Sequence, residues 1–206
     1  MRLAPLVAAA ALAASPALAA VPEKGEGTIT LLGGARILVP GNGAYSDEQG
    51  AAHRLFQPGA IASFGYQYDD ELHVRIDIGY LYDRYRIAGG DLVVRTIPIM
   101  FGIDTALLKG AAFTLYGGGG VGYLLNTGSR SSVDNEANST GGYLALGLRL
   151  RLTALVGAVI EERIIISSAA VDALSRQRLN VGGNLLSVGL MFHFLQPDDK
   201  GHPQAP

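Results

Sequence analysis

Apolar residues recur at every second position along most of this chain, and this period constrains the fold more than any other feature of the sequence. Successive side chains of a β-strand point to opposite faces, so a period of two indicates strands with two chemically different faces. In segment 72–82 one face carries Leu72, Val74, Ile76, Ile78, Tyr80 and Tyr82, and the other carries His73, Arg75, Asp77 and Gly79. From Thr28 onward no segment shows convincing helical spacing.

The sequence predicts eight strands joined by connections of alternating length. The predicted strands are residues 28–39, 59–68, 72–82, 92–105, 111–125, 143–152, 155–166 and 184–194. The connections at 69–71, 106–110 and 153–154 are short, and those at 39–58, 85–91, 126–142 and 167–183 are mostly long and polar. In an up-and-down meander every second connection lies at the same end. We therefore predict an all-β fold, an eight-stranded antiparallel up-and-down β-barrel with its short turns and both termini at one end.

The chemistry of the two faces predicts which medium surrounds this barrel. A soluble barrel keeps its apolar face inward, whereas a membrane barrel turns that face to lipid and packs small and polar groups inside. Here one face is rich in glycine and arginine, and the opposite face presents large apolar side chains. Closure of the sheet also gives every backbone N–H and C=O in the hydrocarbon a partner. The sequence thus predicts a transmembrane barrel.

The first residues have the pattern of a secretory signal peptide. Arg2 supplies a positive start, residues 3–14 are apolar, and Ala17-Leu18-Ala19 forms a small-residue cleavage site. A transmembrane anchor is disfavoured, because prolines interrupt the apolar stretch and it falls short of the roughly 20 residues that a spanning helix needs. The predicted organisation is a signal peptide at 1–19, an N-terminal periplasmic segment at 20–27, the barrel at 28–194 and a disordered periplasmic tail at 195–206.

Charge and cysteine content argue against several classes of function. The chain has 16 Lys plus Arg and 18 Asp plus Glu, a net charge of −2, so no basic field attracts nucleic acid. The absence of cysteine excludes disulfides, thiolate catalysis and Cys-based metal sites. We expect no nucleic-acid partner.

Charged residues on the inward face form the candidate functional site. They are Arg36, Arg75, Asp77, Asp104, Arg149, Arg151, Glu161 and Arg163. An eight-stranded barrel is only wide enough for side chains to fill its interior, and unpaired charges there are costly. We therefore expect salt bridges that plug the lumen. The alternative is a narrow basic pore that favours anions.

Four short motifs fall in order in the fourth, fifth, seventh and last predicted strands. They are Ile97-Pro98-Ile99, Tyr116-Gly117-Gly118-Gly119-Gly120-Val121-Gly122-Tyr123, Glu161-Glu162-Arg163 and Gly189-Leu190-Met191-Phe192-His193-Phe194. Together they resemble the small outer-membrane β-barrel family, the group that includes outer-membrane proteins A, W and X. The resemblance covers essentially the whole mature chain and implies localisation in the outer membrane. In that family the barrel-assembly machinery reads an aromatic residue that ends the last strand, and the resemblance implies this role for Phe194 with Phe192.

Three residues depart from an ideal transmembrane strand. Pro98 lies within a strand of a barrel that has no free edge, so we expect a local bulge or a missing ladder bond there. Glu162 faces lipid if its neighbours Glu161 and Arg163 face inward, which costs less near the rim than at mid-membrane. Arg95 also faces lipid, near the external end of its strand, where it can snorkel.

We expect no catalytic, cofactor-binding or metal-binding residues. Enzymes among small outer-membrane barrels place a His with Ser and an acid near the external rim, and here only His53 lies in an external loop. The glycine run 117–122 matches G-x-G-x-x-G, but strand and loop follow it, and the helix that a dinucleotide needs is not predicted there. The chain is interpreted as non-enzymatic.

The expected function is structural or surface-interacting. The external loops at 39–58 and 167–183 would meet lipopolysaccharide, host or neighbouring surfaces. We expect outer-membrane lipid, lipopolysaccharide and the barrel-assembly machinery as partners, and a monomeric protein. One alternative is a narrow channel for ions or small hydrophobic molecules. The other is a soluble, exported lipocalin-like barrel, in which Arg75, Arg149 and Arg151 would face water.

Overall fold

The computed structural model describes residues 24–37, 52–53, 56–87, 90–131, 133–171 and 179–194. The strands in chain order are β1 (Gly27–Ile37), β2 (Ala52–His53), β3 (Phe56–Gln67), β4 (Leu72–Ile87), β5 (Gly90–Lys109), β6 (Phe113–Arg130), β7 (Val133–Glu136), β8 (Ser139–Arg151), β9 (Val156–Ala169), β10 (Leu179–Asn180) and β11 (Gly183–Phe194). The predicted signal peptide and C-terminal tail lie outside the described residues. Within the part of the chain that the structure describes, no helix is long and apolar enough to cross a membrane.

Eight long strands form one closed antiparallel barrel, which confirms the predicted fold class. Around the ring the order is β1, β3, β4, β5, β6, β8, β9 and β11. The ring closes where β11 pairs with β1, from Gly27↔Phe194 to Ile37↔Asn184. The short strands β2, β7 and β10 pair with β4, β6 and β9.

The two faces of the strands have the chemistry that the sequence predicts. On β4, Ile76 and Ile78 are about half exposed, whereas the intervening Asp77 is buried. On β8, Leu144 and Leu146 are exposed in the same way. The large apolar side chains of the barrel wall therefore face outward, where a membrane barrel contacts lipid.

The soluble lipocalin-like alternative is contradicted by the same faces. It requires Arg75 and Arg149 to lie in water, yet these residues are only 4% and 9% exposed. The side chain of Arg151 is likewise only 9% exposed. The three arginines point into the barrel, so the wall is inverted relative to a soluble ligand-binding barrel.

Strands β4, β5 and β6 extend beyond their predicted external ends, which corrects two predicted loops. β4 continues to Ile87 and β5 begins at Gly90, so the segment 85–91 is mostly strand. The segment 126–142 contains the end of β6, all of β7 and the start of β8. The extensions of β4 and β6 begin with polar residues, Asp83 and Arg84 on β4 and Asn126 and Thr127 on β6, as expected outside the apolar band that contacts lipid. The period of two therefore disappears from the sequence while the hydrogen-bonded ladder continues.

Pro98 interrupts one ladder without shifting its register. β4 and β5 pair Ile78↔Ile99 and Leu81↔Thr96, and the two intervening pairs are missing. The missing ladder bond predicted at Pro98 is confirmed, because proline has no N–H to donate. The register shift lies elsewhere, between Ala106 and Leu108 near a short turn.

Candidate functional site

Six charged side chains meet at the centre of the barrel, and all six are buried. They are Arg75 and Asp77 on β4, Asp104 on β5, Arg149 on β8, and Glu161 and Arg163 on β9. Residues two apart on a strand share a face, which places both members of each β4 and β9 pair inside. Three arginines and three carboxylates make the group neutral. We call these six residues the central cluster.

Ion pairs of the central cluster join strands on opposite sides of the ring. β4 and β9 are separated by three strands in either direction. Arg75 Nη1 lies 2.7 Å from Glu161 Oε2, and Arg163 Nη1 lies 2.8 Å from Asp77 Oδ2. Two ion pairs therefore cross the full width of the lumen.

Asp104 and Glu161 each have two arginine partners in the central cluster. Asp104 Oδ2 lies 2.6 Å from Arg149 Nη2 and 3.3 Å from Arg75 Nη1. Glu161 uses its second oxygen, Oε1, for Arg163 Nη2 at 2.6 Å. Shared partners of this kind join the charges into a single network, in which the removal of one charge affects several neighbours.

Two tyrosines complete the central cluster. The Tyr116 hydroxyl donates a hydrogen bond to Glu161 Oε2 at 2.7 Å, and Arg75 Nε donates to the Tyr143 hydroxyl oxygen at 3.1 Å. The Arg149 guanidinium lies 3.9 Å from the Tyr116 ring centroid, and the Arg163 guanidinium lies 4.3 Å from that of Tyr143, which is cation–π geometry. The rings thereby fill space between the charges.

Inward glycines provide the room for these two rings. A Cβ added at Gly102 would overlap the Tyr143 hydroxyl, and one added at Gly147 would overlap the Tyr116 ring. The glycine-rich inward face is therefore a requirement of the packed interior.

Arg36, the first of two predicted residues outside the central cluster, lies at the external end of the barrel. Its guanidinium forms a buried ion pair with Asp83 and donates a hydrogen bond to the Val181 carbonyl at 3.0 Å. Arg36 therefore ties β1 and β4 to the segment that leads into β11.

Arg151, the second, lies at the opposite end with the short turns. Its Nη2 is 3.1 Å from Glu26 Oε1, and His193 Nδ1 is 3.0 Å from the same oxygen. The eight predicted residues thus form three separate groups, because they lie at three different heights along the strands.

Sequence reasoning missed several partners of these charges. Asp83 lies six residues after Asp77 and therefore on the same inward face of the strand, but the strand was predicted to end one residue before it. Glu26 was assigned to the periplasmic segment, although its carboxylate is inside the barrel. Tyr143 lies six residues before Arg149, so extending the alternation back along the strand would have predicted that it faces inward. Tyr116 has no comparable signal, because the four residues that follow it are glycines and mark neither face.

The interior on the external side of the central cluster contains apolar side chains as well as the buried Arg36–Asp83 pair. Leu81, Leu92, Leu124 and Leu185 are at most 1% exposed and occupy inward positions on four strands. Val181, in the segment before β11, is also fully buried. The predicted polar lumen therefore describes only part of the interior. Alternation places these positions inside but does not determine which of them carry charge.

A hydroxyl, an imidazole and a carboxylate line up within the lumen near the short turns. Thr28 Oγ1 lies 3.1 Å from His73 Nε2, and His73 Nδ1 lies 3.4 Å from Asp104 Oδ2. A catalytic relay has the same order of groups, but its nucleophile must reach a substrate. Thr28 is 5% exposed, which favours a packing role for this arrangement. Among the described residues no cluster of three or more His, Cys, Asp or Glu is placed to hold a metal ion.

Glu162 faces outward, as its alternation with Glu161 predicts. Its Oε1 accepts a hydrogen bond of 2.8 Å from Asn184 Nδ2 on the neighbouring strand β11. The amide lowers the cost of a carboxylate on a mainly apolar surface.

The sequence matches the family described as the outer membrane protein β-barrel domain over residues 5–194. The chain belongs to this family and is therefore a β-barrel protein of the bacterial outer membrane. No curated protein matches the sequence.

Solved structures with the same architecture come from several outer membrane proteins. OprG of Pseudomonas aeruginosa has a TM-score of 0.61 and 16% identity, covering 84% of this chain and 98% of that one. Neisserial surface protein A has a TM-score of 0.55 and 16% identity, covering 83% and 98% of the two chains. AlkL, solved in DMPC lipid bilayers, has a TM-score of 0.53 and 16% identity, covering 88% and 95%. At these identities the likeness shows the fold alone.

Proposed function

We propose that this protein is a sealed, non-catalytic outer membrane barrel whose role is structural or is carried out by its external surface. Two ion pairs support this most strongly, Arg75–Glu161 and Asp77–Arg163. Because these pairs join opposite walls, an ion that passed this level would have to separate them.

The energetics of the central cluster favour closure. Removing one partner of a buried ion pair typically costs about 3–5 kcal/mol, because the other charge is left without compensation. In the central cluster every carboxylate contacts at least one arginine, so opening a path for an ion disrupts several contacts at once. The neutral sum of charges also provides no net attraction for either cations or anions.

Planar-bilayer recording of the mature protein tests the proposed closure. We expect no reproducible conductance steps, and we expect the double variant Arg149→Gln, Arg151→Gln to remain at the same baseline. Steps in the wild-type protein whose anion preference falls in this double variant would show a basic pore and would contradict the proposal.

A second candidate, a channel for small hydrophobic molecules, is supported by a set of buried leucines in the external half of the interior. Leu81, Leu92 and Leu124 are at most 1% exposed there, so their side chains would have to separate to admit a hydrophobic molecule. Uptake of an aliphatic fluorescent probe by vesicles distinguishes the two candidates. A sealed barrel leaves uptake unchanged relative to protein-free vesicles, whereas protein-dependent uptake that is lost in Leu92→Asp supports the channel.

The assembly signal and the partners are part of the same proposal. Phe194 ends the last strand and is exposed on the outer face, two residues after Phe192. This position supports their recognition by the barrel-assembly machinery. Closure of the ring leaves each of the eight long strands paired on both sides, which supports a monomer. Lipopolysaccharide is proposed as the partner of the external loops, most of which lie outside the described residues.

A further inference from the structure

The lipid-facing wall of the barrel contains an open recess of about 710 Å³ across strands β4, β5, β6 and β8. Ile76, Ile99, Phe101 and Val121 line it with apolar side chains. The recess forms because Gly142 occupies an outward position on β8, next to Val121 of β6, so the surface is lower there than at the bulky side chains of β5. We call it the wall groove.

The wall groove opens toward the external half of the membrane. Val121 is eight residues beyond Phe113, where β6 begins at the end with the short turns. At about 3.4 Å per residue and a tilt of about 40°, this places Val121 roughly 20 Å along the barrel axis. The apolar band of such a barrel is about 25 Å tall, so the groove lies in the outer leaflet.

Two hydroxyl groups stand at the external edge of the wall groove. Tyr123 and Thr140 both line it and are register partners on β6 and β8. They lie where the apolar band meets the polar extension of β6. Tyrosine and threonine at this level can bond to the sugar and ester oxygens of a lipid while the groove below holds a hydrocarbon chain.

Arg95 provides a positive charge on the external side of the wall groove. It lies on the outer face of β5, four residues toward the external end from Ile99, or roughly 13 Å along the strand. Arg84, on the outer face of neighbouring β4, is neutralised by an ion pair with Asp91. Arg95, by contrast, is exposed and has no ion pair or hydrogen bond to any of the described residues.

We propose that the wall groove and Arg95 form a specific binding site for lipid A, the phosphorylated acylated glucosamine of the outer leaflet. One acyl chain occupies the groove, and a glucosamine phosphate binds the Arg95 guanidinium. The apolar lining matches the chain, and the free guanidinium can bind phosphate oxygens in bidentate fashion. The site lies on the opposite face of the wall from the central cluster, so it stands whether or not the lumen conducts.

Native mass spectrometry of the mature protein, refolded in detergent, tests this site. The probes are bisphosphorylated lipid A, dephosphorylated lipid A and phosphatidylglycerol. We expect Arg95→Gln to weaken retention of bisphosphorylated lipid A about tenfold and to leave the dephosphorylated form unchanged, since one charge-assisted contact is lost. Arg95→Lys should restore part of the difference.

Groove-filling variants test the acyl chain separately. Val121→Trp places a large ring in the wall groove and should weaken retention of both forms of lipid A. Val188→Trp puts the same ring on β11, outside the groove, and should leave retention at the wild-type level, as should Arg84→Gln. A shift between boiled and unboiled samples in SDS verifies that each variant is folded. Equal retention by all variants, or an equal effect of Arg95→Gln on phosphatidylglycerol, would overturn the proposed site.

Discussion

Replacing Glu161 with glutamine removes one negative charge from the central cluster while keeping the size of the side chain. The carboxylate lies 2.7 Å from Arg75 Nη1 and 2.6 Å from Arg163 Nη2. It also accepts a hydrogen bond of 2.7 Å from the Tyr116 hydroxyl. The variant leaves three buried arginines facing two carboxylates. We expect the free energy of unfolding to fall by about 3–5 kcal/mol, the usual cost of an uncompensated buried charge.

Glu162→Gln is the matched control, because Glu162 is the next residue in the sequence and points to the opposite face. Its described contact is the hydrogen bond from Asn184 at 2.8 Å. Loss of an exposed charge on the outer wall should change stability by less than about 1 kcal/mol or increase it slightly. Urea unfolding in lipid vesicles, followed by circular dichroism, measures both variants on one scale.

A double-mutant cycle separates charge balance from general damage. Arg163→Met alone leaves an excess negative charge, whereas Arg163→Met combined with Glu161→Gln returns the cluster to neutrality. We expect the double variant to be more stable than the sum of the single losses implies, with a coupling of about 1–3 kcal/mol. Additive losses, or equal effects of Glu161→Gln and Glu162→Gln, would refute the reasoning.

Three further predictions concern other parts of the barrel. Gly102→Ala should lower stability by about 1–3 kcal/mol, because its Cβ would overlap the Tyr143 hydroxyl, whereas Gly33→Ala, with open space around the added Cβ, should change the urea midpoint little. The Asp69 carboxylate accepts hydrogen bonds from two backbone N–H groups of its own turn, which lower its pKa below the ordinary value of 3.8. A carboxylate whose pKa is lowered by folding stabilises the folded state at pH values above its ordinary pKa. Asp69→Asn should therefore unfold more easily than the wild type at neutral pH, and the stabilities of the two proteins should converge as acid protonates the folded carboxylate. Phe194→Ala should reduce the yield of heat-modifiable protein in the outer membrane without changing refolding of the purified chain in detergent, and equal losses in both assays would show a purely structural role.

The sequence was sufficient to predict the barrel because each strand has one face in contact with lipid and the other in contact with the interior, and the two require different residues. Residues 72–80 alternate strictly, and the structure places them as that alternation requires. The prediction of strand ends failed outside the apolar band that contacts lipid. Asp83 continues the inward face of β4, but with polar residues on both sides of the strand the period carries no signal.

The charged interior was predictable in its residues and not in its pairing. The alternation of side chains along each strand is enough to place Arg75, Asp104 and Glu161 inside the barrel. Their contacts depend on which strands lie opposite each other and on the stagger around the ring, and neither is encoded in local spacing. Arg36 lies at the external end of β1 and Arg151 at the short-turn end of β8, so most of the height of the barrel separates them.

The most direct test of the sealed interior is solid-state NMR of the protein in lipid bilayers, with ¹⁵N-labelled arginine and ¹³C-labelled glutamate. We expect the Glu161 side-chain carboxyl carbon to correlate through space with the guanidinium nitrogens of both Arg75 and Arg163. These correlations should disappear in Glu161→Gln and persist in Glu162→Gln. Absence of any arginine–glutamate correlation that depends on Glu161 would mean that these charges are separated by water, and would contradict the proposal that the lumen is closed.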